Sequence, residues 1–180
     1  MLIGLGEIVG GAAFGLLGTK TASGRRDTIV LIGFLVHTAA FVTIYLNLPF
    51  VSPISATSQT GHMESNLPLA LTGSFLLGFG DACFITQIMS FLSSAFVDDS
   101  APIFALFKFV QSIASAICFL YSDTFTLDVH MYILTTGVVI GTLSFCQAEW
   151  LRRDRELSAV RSSPTISSAS TVSSSLGKLE

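Results

Sequence analysis

Three ionisable side chains, Glu7, Asp81 and Lys108, stand inside long apolar runs of a 180-residue chain of which only 12% is charged. At the centre of a bilayer each would cost at least about 2.5 to 3.5 kcal/mol unless paired or hydrated, so each asks for polar surroundings. Lys108, Gln111, Ser112 and Ser115 recur at i, i+3, i+4 and i+7. That spacing makes one polar stripe on a helix while Phe107, Phe109 and Val110 point elsewhere, and the stripe must face protein or water. At about 1.5 Å per residue, Glu7 and Lys108 lie about 17 and 10 Å from one common face of the membrane, close enough for long side chains to meet. Asp81 lies about 20 Å or more from that face, so Gln87 matches the level of Lys108 better. Two chemistries fit such a set. One is a substrate, proton or ion path lined by Glu7, Asp81, Gln87, Lys108 and Gln111; the other is a buried structural ion pair that fixes helix register, with Lys108 also able to snorkel to the interface.

Other chemistry finds no support in the residues. The chain contains no G-x-S-x-G, H-E-x-x-H, phosphate-binding G-x-x-x-x-G-K or dinucleotide G-x-G-x-x-G, so no enzyme, catalytic residue or cofactor is expected. His37 has no second ligand at helical spacing and is expected to be a hydrogen-bonded packing residue rather than part of a metal site. Cys83, Cys118 and Cys146 are odd in number and sit in apolar runs, which suits small core fillers better than disulfides. Nine Lys and Arg residues with a net charge of -3 make no broad basic face, which excludes nucleic acid as a partner.

The elements that hold these residues follow from hydropathy. Half of the chain (51%) is hydrophobic, and the mean hydropathy is +0.71, outside the range of a soluble domain. A bilayer core of about 30 Å takes roughly 20 apolar residues in a helix, because lipid offers no partner to an open backbone. The expected class is therefore an all-α, multi-pass membrane protein whose first partner is the lipid bilayer. Five runs fit, at 1–17, 28–48, 67–96, 102–121 and 129–150, the first at the short limit and suggestive of a span that lost its first residues. Lys20, Arg25 and Arg26 follow the first run, and Arg152, Arg153, Arg155, Arg161 and Lys178 follow the last; the loops at 49–66 and 122–128 have no Lys or Arg. Five crossings put both basic segments on one side, which the positive-inside rule makes cytoplasmic together with the C-terminus.

Gly6 and Gly10, Gly11 and Gly15, and Gly137 and Gly141 are each four apart, the spacing that lets helix backbones approach closely in lipid. Residues 151–180 are expected to be a disordered, Ser-rich tail, with too little apolar surface to offset ordering entropy. Asn47 and Asn66 are each followed by Leu-Pro, which fails the glycosylation pattern.

The stretch Gly18-Thr19-Lys20-Thr21-Ala22-Ser23-Gly24-Arg25-Arg26 resembles the glycine and double-arginine cytoplasmic loop of the major facilitator superfamily, without its usual acidic residue before the second glycine. The segments from Gly78 to Ile88, from Phe104 to Ser112 and from Gly141 to Phe145 resemble, in order, the C-terminal half of the Unc-93-like branch of that superfamily, with Ile85 where an Asn is expected. The resemblance implies that the five spans correspond to helices eight to twelve of a twelve-helix fold. It implies further that an N-terminal half of the same fold is the missing partner, and that the segment by itself lacks complete transport function. Its cytoplasmic-loop residues would be Gly18, Gly24, Arg25 and Arg26. Two roles follow for the whole fold: a solute transporter, or a non-transporting regulatory or trafficking subunit for an ion channel or receptor.

Overall fold

The computed structural model describes residues 1–21, 26–55 and 61–162. All regular structure among them is helical: α1 (Leu2–Thr21), α2 (Arg26–Asn47), α3 (Leu67–Ala95), α4 (Ser100–Ser122) and α5 (Leu127–Ser162). Four of these, α2 to α5, are long and apolar enough to cross a membrane, and α1 contributes a shorter apolar helix over Leu2–Leu16. The chain divides into two compact units, Met1–Phe145 and Cys146–Glu180. In the second, the described residues 146–162 are helical.

Helix starts and ends have local causes. The Asn66 side chain accepts a hydrogen bond from the Leu69 amide at 3.2 Å and Pro68 sits in the first turn, so α3 begins there. Asn66 is itself held, because its own amide donates to Asn47 Oδ1 at 2.7 Å. Asn47 is buried, and the pair closes the connection between α2 and α3. The sequence reading took both asparagines only as failed glycosylation sites; Asn-Leu-Pro, a cap residue followed by proline, was the available signal.

Within the first unit α3 is the central helix, packed against α1 and α2 and, more lightly, α4. Close approach rests on missing side chains. A Cβ on Gly6 would collide with the Phe75 carbonyl, one on Gly78 with the Ile3 carbonyl, and one on Gly10 would come within 2.7 Å of Ala82 Cβ. These contacts advance together along both helices, so α1 and α3 run parallel. Against α2 the order reverses: Gly33 meets Cys83, His37 covers Gly80 and Thr43 covers Gly73, so α2 and α3 are antiparallel. Alternating directions are what successive crossings require. The other two glycine pairs behave differently, since Gly11, Gly15, Gly137 and Gly141 have nothing near them.

Elsewhere the apolar surface points outward. Phe119, Leu120 and Tyr132 are 79%, 82% and 76% exposed, and α4 buries no residue at all. Water would penalise such a surface and lipid does not, so the fold is that of a membrane protein in contact with the bilayer.

Helix bounds differ from the expected runs by a few residues, except at the last. Residues 151–162 were expected to be disordered, yet α5 continues to Ser162. Glu149 lies between the two readings, because the sequence analysis counted three ionisable residues in the spans and left it out of the fifth. It is fully buried, and Arg152 donates to it through Nε and Nη2 at 3.3 and 3.1 Å. Arg153 approaches the same carboxylate at 3.5 Å, and Arg152 also pairs with Glu156. The hydrogen bond to Glu149 pushes the Arg152 guanidinium above its ordinary pKa, so the cation persists. These i, i+3 and i, i+4 pairs extend the helix past the apolar run. Residues 163–180 lie outside the described residues.

Candidate functional site

The residues singled out from the sequence fall on three helices. Parallel packing places Glu7 beside Gly78, whose backbone faces the Glu7 amide, and Asp81 follows Gly78 by less than one turn. Glu7 and Asp81 therefore lie at depths less than one helical turn apart. Both side chains are exposed. Lys108 on α4 is exposed too; its Nζ donates to Gln111 Oε1 at 2.8 Å and lies 5.6 Å from the centroid of the Phe107 ring. Ser112 extends the stripe by donating from Oγ to the Lys108 carbonyl at 2.9 Å.

No ion pair joins Glu7 or Asp81 to Lys108 among the described residues. Lys108 is served within its own helix, by the i+3 glutamine of the polar stripe. Gln87 is in a different setting: it is buried, and its amide nitrogen contacts Thr86 Oγ1 at 3.4 Å. The structure thus leaves three ionisable groups on uncovered faces of helices and folds Gln87 inward.

Of the cytoplasmic-loop residues, Gly18 lies in α1, whereas Gly24 and Arg25 lie outside the described residues. Arg26 is the first residue of α2, buried, and its Nη1 donates to Ser94 Oγ at 3.0 Å. The second arginine of the motif is therefore a clamp between the start of α2 and the end of α3, consistent with their antiparallel course. His37 is held between Phe41 and Phe84 in edge-on ring contacts and donates from Nδ1 to the Gly33 carbonyl at 3.3 Å.

Sequence reasoning passed over a crevice between α2 and α5. It has a volume of about 410 Å³, and Tyr45 of α2 and Asp128 of α5 both line it. The two residues are far apart in the chain and neither breaks an apolar pattern, so no sequence signal joined them.

The sequence profile of the family described as "Ion channel regulatory protein UNC-93" matches residues 1–146. The chain is 44% identical over 160 residues to the UNC93-like protein MFSD11 of Xenopus laevis, a match that covers 87% of this chain and 36% of that protein. It is 43% identical over 153 residues to the protein of the same name from Xenopus tropicalis, covering 83% and 34% respectively. The chain thus spans about a third of the length of the curated relatives it matches. No solved structure matches.

Proposed function

Because this chain belongs to the UNC-93 family, we propose that it forms the C-terminal part of a transporter-type membrane protein, in which Glu7, Asp81, Lys108 and Gln111 line a polar path completed by the rest of a longer fold. The observation that carries this reading is Lys108: a cation in the middle of an apolar helix, uncovered, whose partners among the described residues, Gln111 and the Phe107 ring, belong to its own helix. Left against lipid it would be costly, so the face it occupies belongs against water or another membrane segment. Glu7 and Asp81, exposed at similar depth on adjacent helices, ask for the same. A cavity between two halves near mid-membrane meets that need. Gln87, buried, would support the cavity wall instead of lining it. By itself the segment would not complete a path.

The test uses the complete protein that carries this segment, reconstituted in proteoliposomes. Proton entry under an imposed potential is read with an entrapped pH dye. Neutralising Lys108 (K108M) or Asp81 (D81N) is expected to lower the flux at least about tenfold, equivalent to about 1.4 kcal/mol on the barrier. Flux unchanged in both variants would remove the path role from these residues.

A second reading is favoured by the family description, which names ion-channel regulation. Here the same polar faces would dock a channel or receptor subunit. Recovery of such a partner from native membranes, lost in K108M while proton flux is absent in all variants, would replace the first reading by the second.

A further inference from the structure

The proposed path leaves His37 unused, although it is a buried polar ring in the apolar middle of α2, where a polar group costs free energy unless it is bonded. Its ring is held from several directions. Phe41 and Phe84 meet it edge-on with centroids 5.7 and 5.4 Å away, and Nδ1 donates to the Gly33 carbonyl one turn earlier at 3.3 Å. Toward α3 the ring rests on bare backbone, because a Cβ added to Gly80 would collide with Nδ1 and stand 2.7 Å from Cε1. Only glycine at position 80 admits the ring.

The contact matters for the residue that follows Gly80. Gly80 is buried where α3 meets α2, and Ala82 is buried where α3 meets α1, its Cβ 2.7 Å from one placed on Gly10. Asp81 between them is exposed. Successive residues turn about 100° round a helix axis, so Asp81 occupies the sector left open between the two contacts. A roll of α3 about its axis would swing that carboxylate toward α2 or α1 and out of the open sector. The His37 ring is the stop on the α2 side, and it is itself fixed by two aromatic neighbours and a hydrogen bond. We propose that His37 is a positioning residue for Asp81, its ring seated on Gly80 setting the rotation of α3 that turns the carboxylate into the polar path. The assignment rests on the reading of Asp81 as part of that path and adds the side chain that aims it. As packing alone, His37 would hold α2 against α3; acting through rotation, it also decides what Asp81 faces.

The complete protein that carries this segment, stripped of its own cysteines and given D81C, is reacted in membranes with a water-soluble methanethiosulfonate. The rate of modification of the D81C thiol reads how far position 81 faces water. G80A, whose methyl drives the ring off its seat, should slow modification about tenfold, and in proteoliposomes of protein that keeps Asp81 it should lower proton flux by a similar factor. H37A/G80A, in which the methyl stands in for the ring, should be modified within about threefold of the parent and recover the flux, although it has no imidazole. Modification of G80A at the parent rate overturns the assignment, as does a double variant that stays as slow as G80A. So does a double variant whose modification recovers while its flux does not, since the imidazole would then carry the proton itself. Should G80A fail to fold by helical circular dichroism, H37A decides: loss of the ring should slow modification at least about threefold, and the parent rate would overturn the assignment. Thiol modification needs no transport. If the parent shows no flux while the modification rates come out as expected, the path reading falls and the coupling of His37 to Asp81 stands.

Discussion

At the scale of single residues, the most informative comparison is between glycines that look alike in the sequence. Gly6, Gly10 and Gly78 stand where α1 and α3 touch, and a side chain on Gly78 would run into the Ile3 backbone. Gly11 has identical flanking spacing and open space around it. G78L should therefore destabilise the purified protein by about 1 to 3 kcal/mol through overpacking, and G11L should stay within about 0.5 kcal/mol. Thermal unfolding followed by helical circular dichroism in detergent measures both. Equal effects would mean that the α1/α3 approach is not set at Gly78. Spacing alone could not choose between them, since i, i+4 marks every such pair equally and only the packing partner separates them. Lys108 and Gln111 are the opposite case. Their spacing along one helix already announced the stripe, and the bond between them is local.

Among the elements, α5 departs furthest from its expected form. Hydropathy ends the last span near Trp150, but hydropathy only says where lipid suits the side chains. Whether the backbone stays helical beyond that point depends on side-chain pairs, and Glu149 with Arg152 and Arg153, then Arg152 with Glu156, supply them. E149A should loosen the helix over residues 150–162 by about 1 kcal/mol, a figure kept low because Arg152 is partly exposed. Hydrogen exchange of those amides should accelerate about fivefold, while amides of 127–140 remain unchanged. No change at 150–162 would assign the helix there to intrinsic propensity. The signal was present in the sequence as charges at i+3 and i+4 from Glu149. It was hidden by reading the residue as part of an apolar run. α2 and α3 were easier to read, because a run of the right length between polar punctuation leaves the backbone few alternatives in lipid.

For the molecule as a whole, the inverted surface is the main physical fact. A central α3 holds α1 on one side and α2 on the other, and large apolar side chains of α4 and α5 face out. The distribution of Lys and Arg carries the orientation we propose, with the segment around Arg25 and the C-terminus on the same cytoplasmic side. Epitope tags inserted after Arg25 and after Glu180 should be protected together and exposed together in sealed vesicles. Opposite protection of the two would overturn the five-crossing arrangement. The alternation of helix directions in the α1–α2–α3 group agrees with that arrangement but does not say which side is inside, because packing is indifferent to the sign of the membrane potential.

Composition and hydropathy alone determined that this chain belongs in a bilayer, where its apolar runs lie, and that Glu7, Asp81 and Lys108 stand inside them. They could do so because the cost of an unpaired backbone or a lone charge in hydrocarbon depends on residue type and run length, both local properties. Only the tertiary structure decided which glycines touch a neighbour, that Asp81 lies within a turn of the level of Glu7, that Gln87 is buried while Lys108 is uncovered, and that Tyr45 and Asp128 line one crevice. Those facts depend on the rotation and register of one helix against another, and register is fixed by packing between residues far apart in the chain, as Ile3 and Gly78 are.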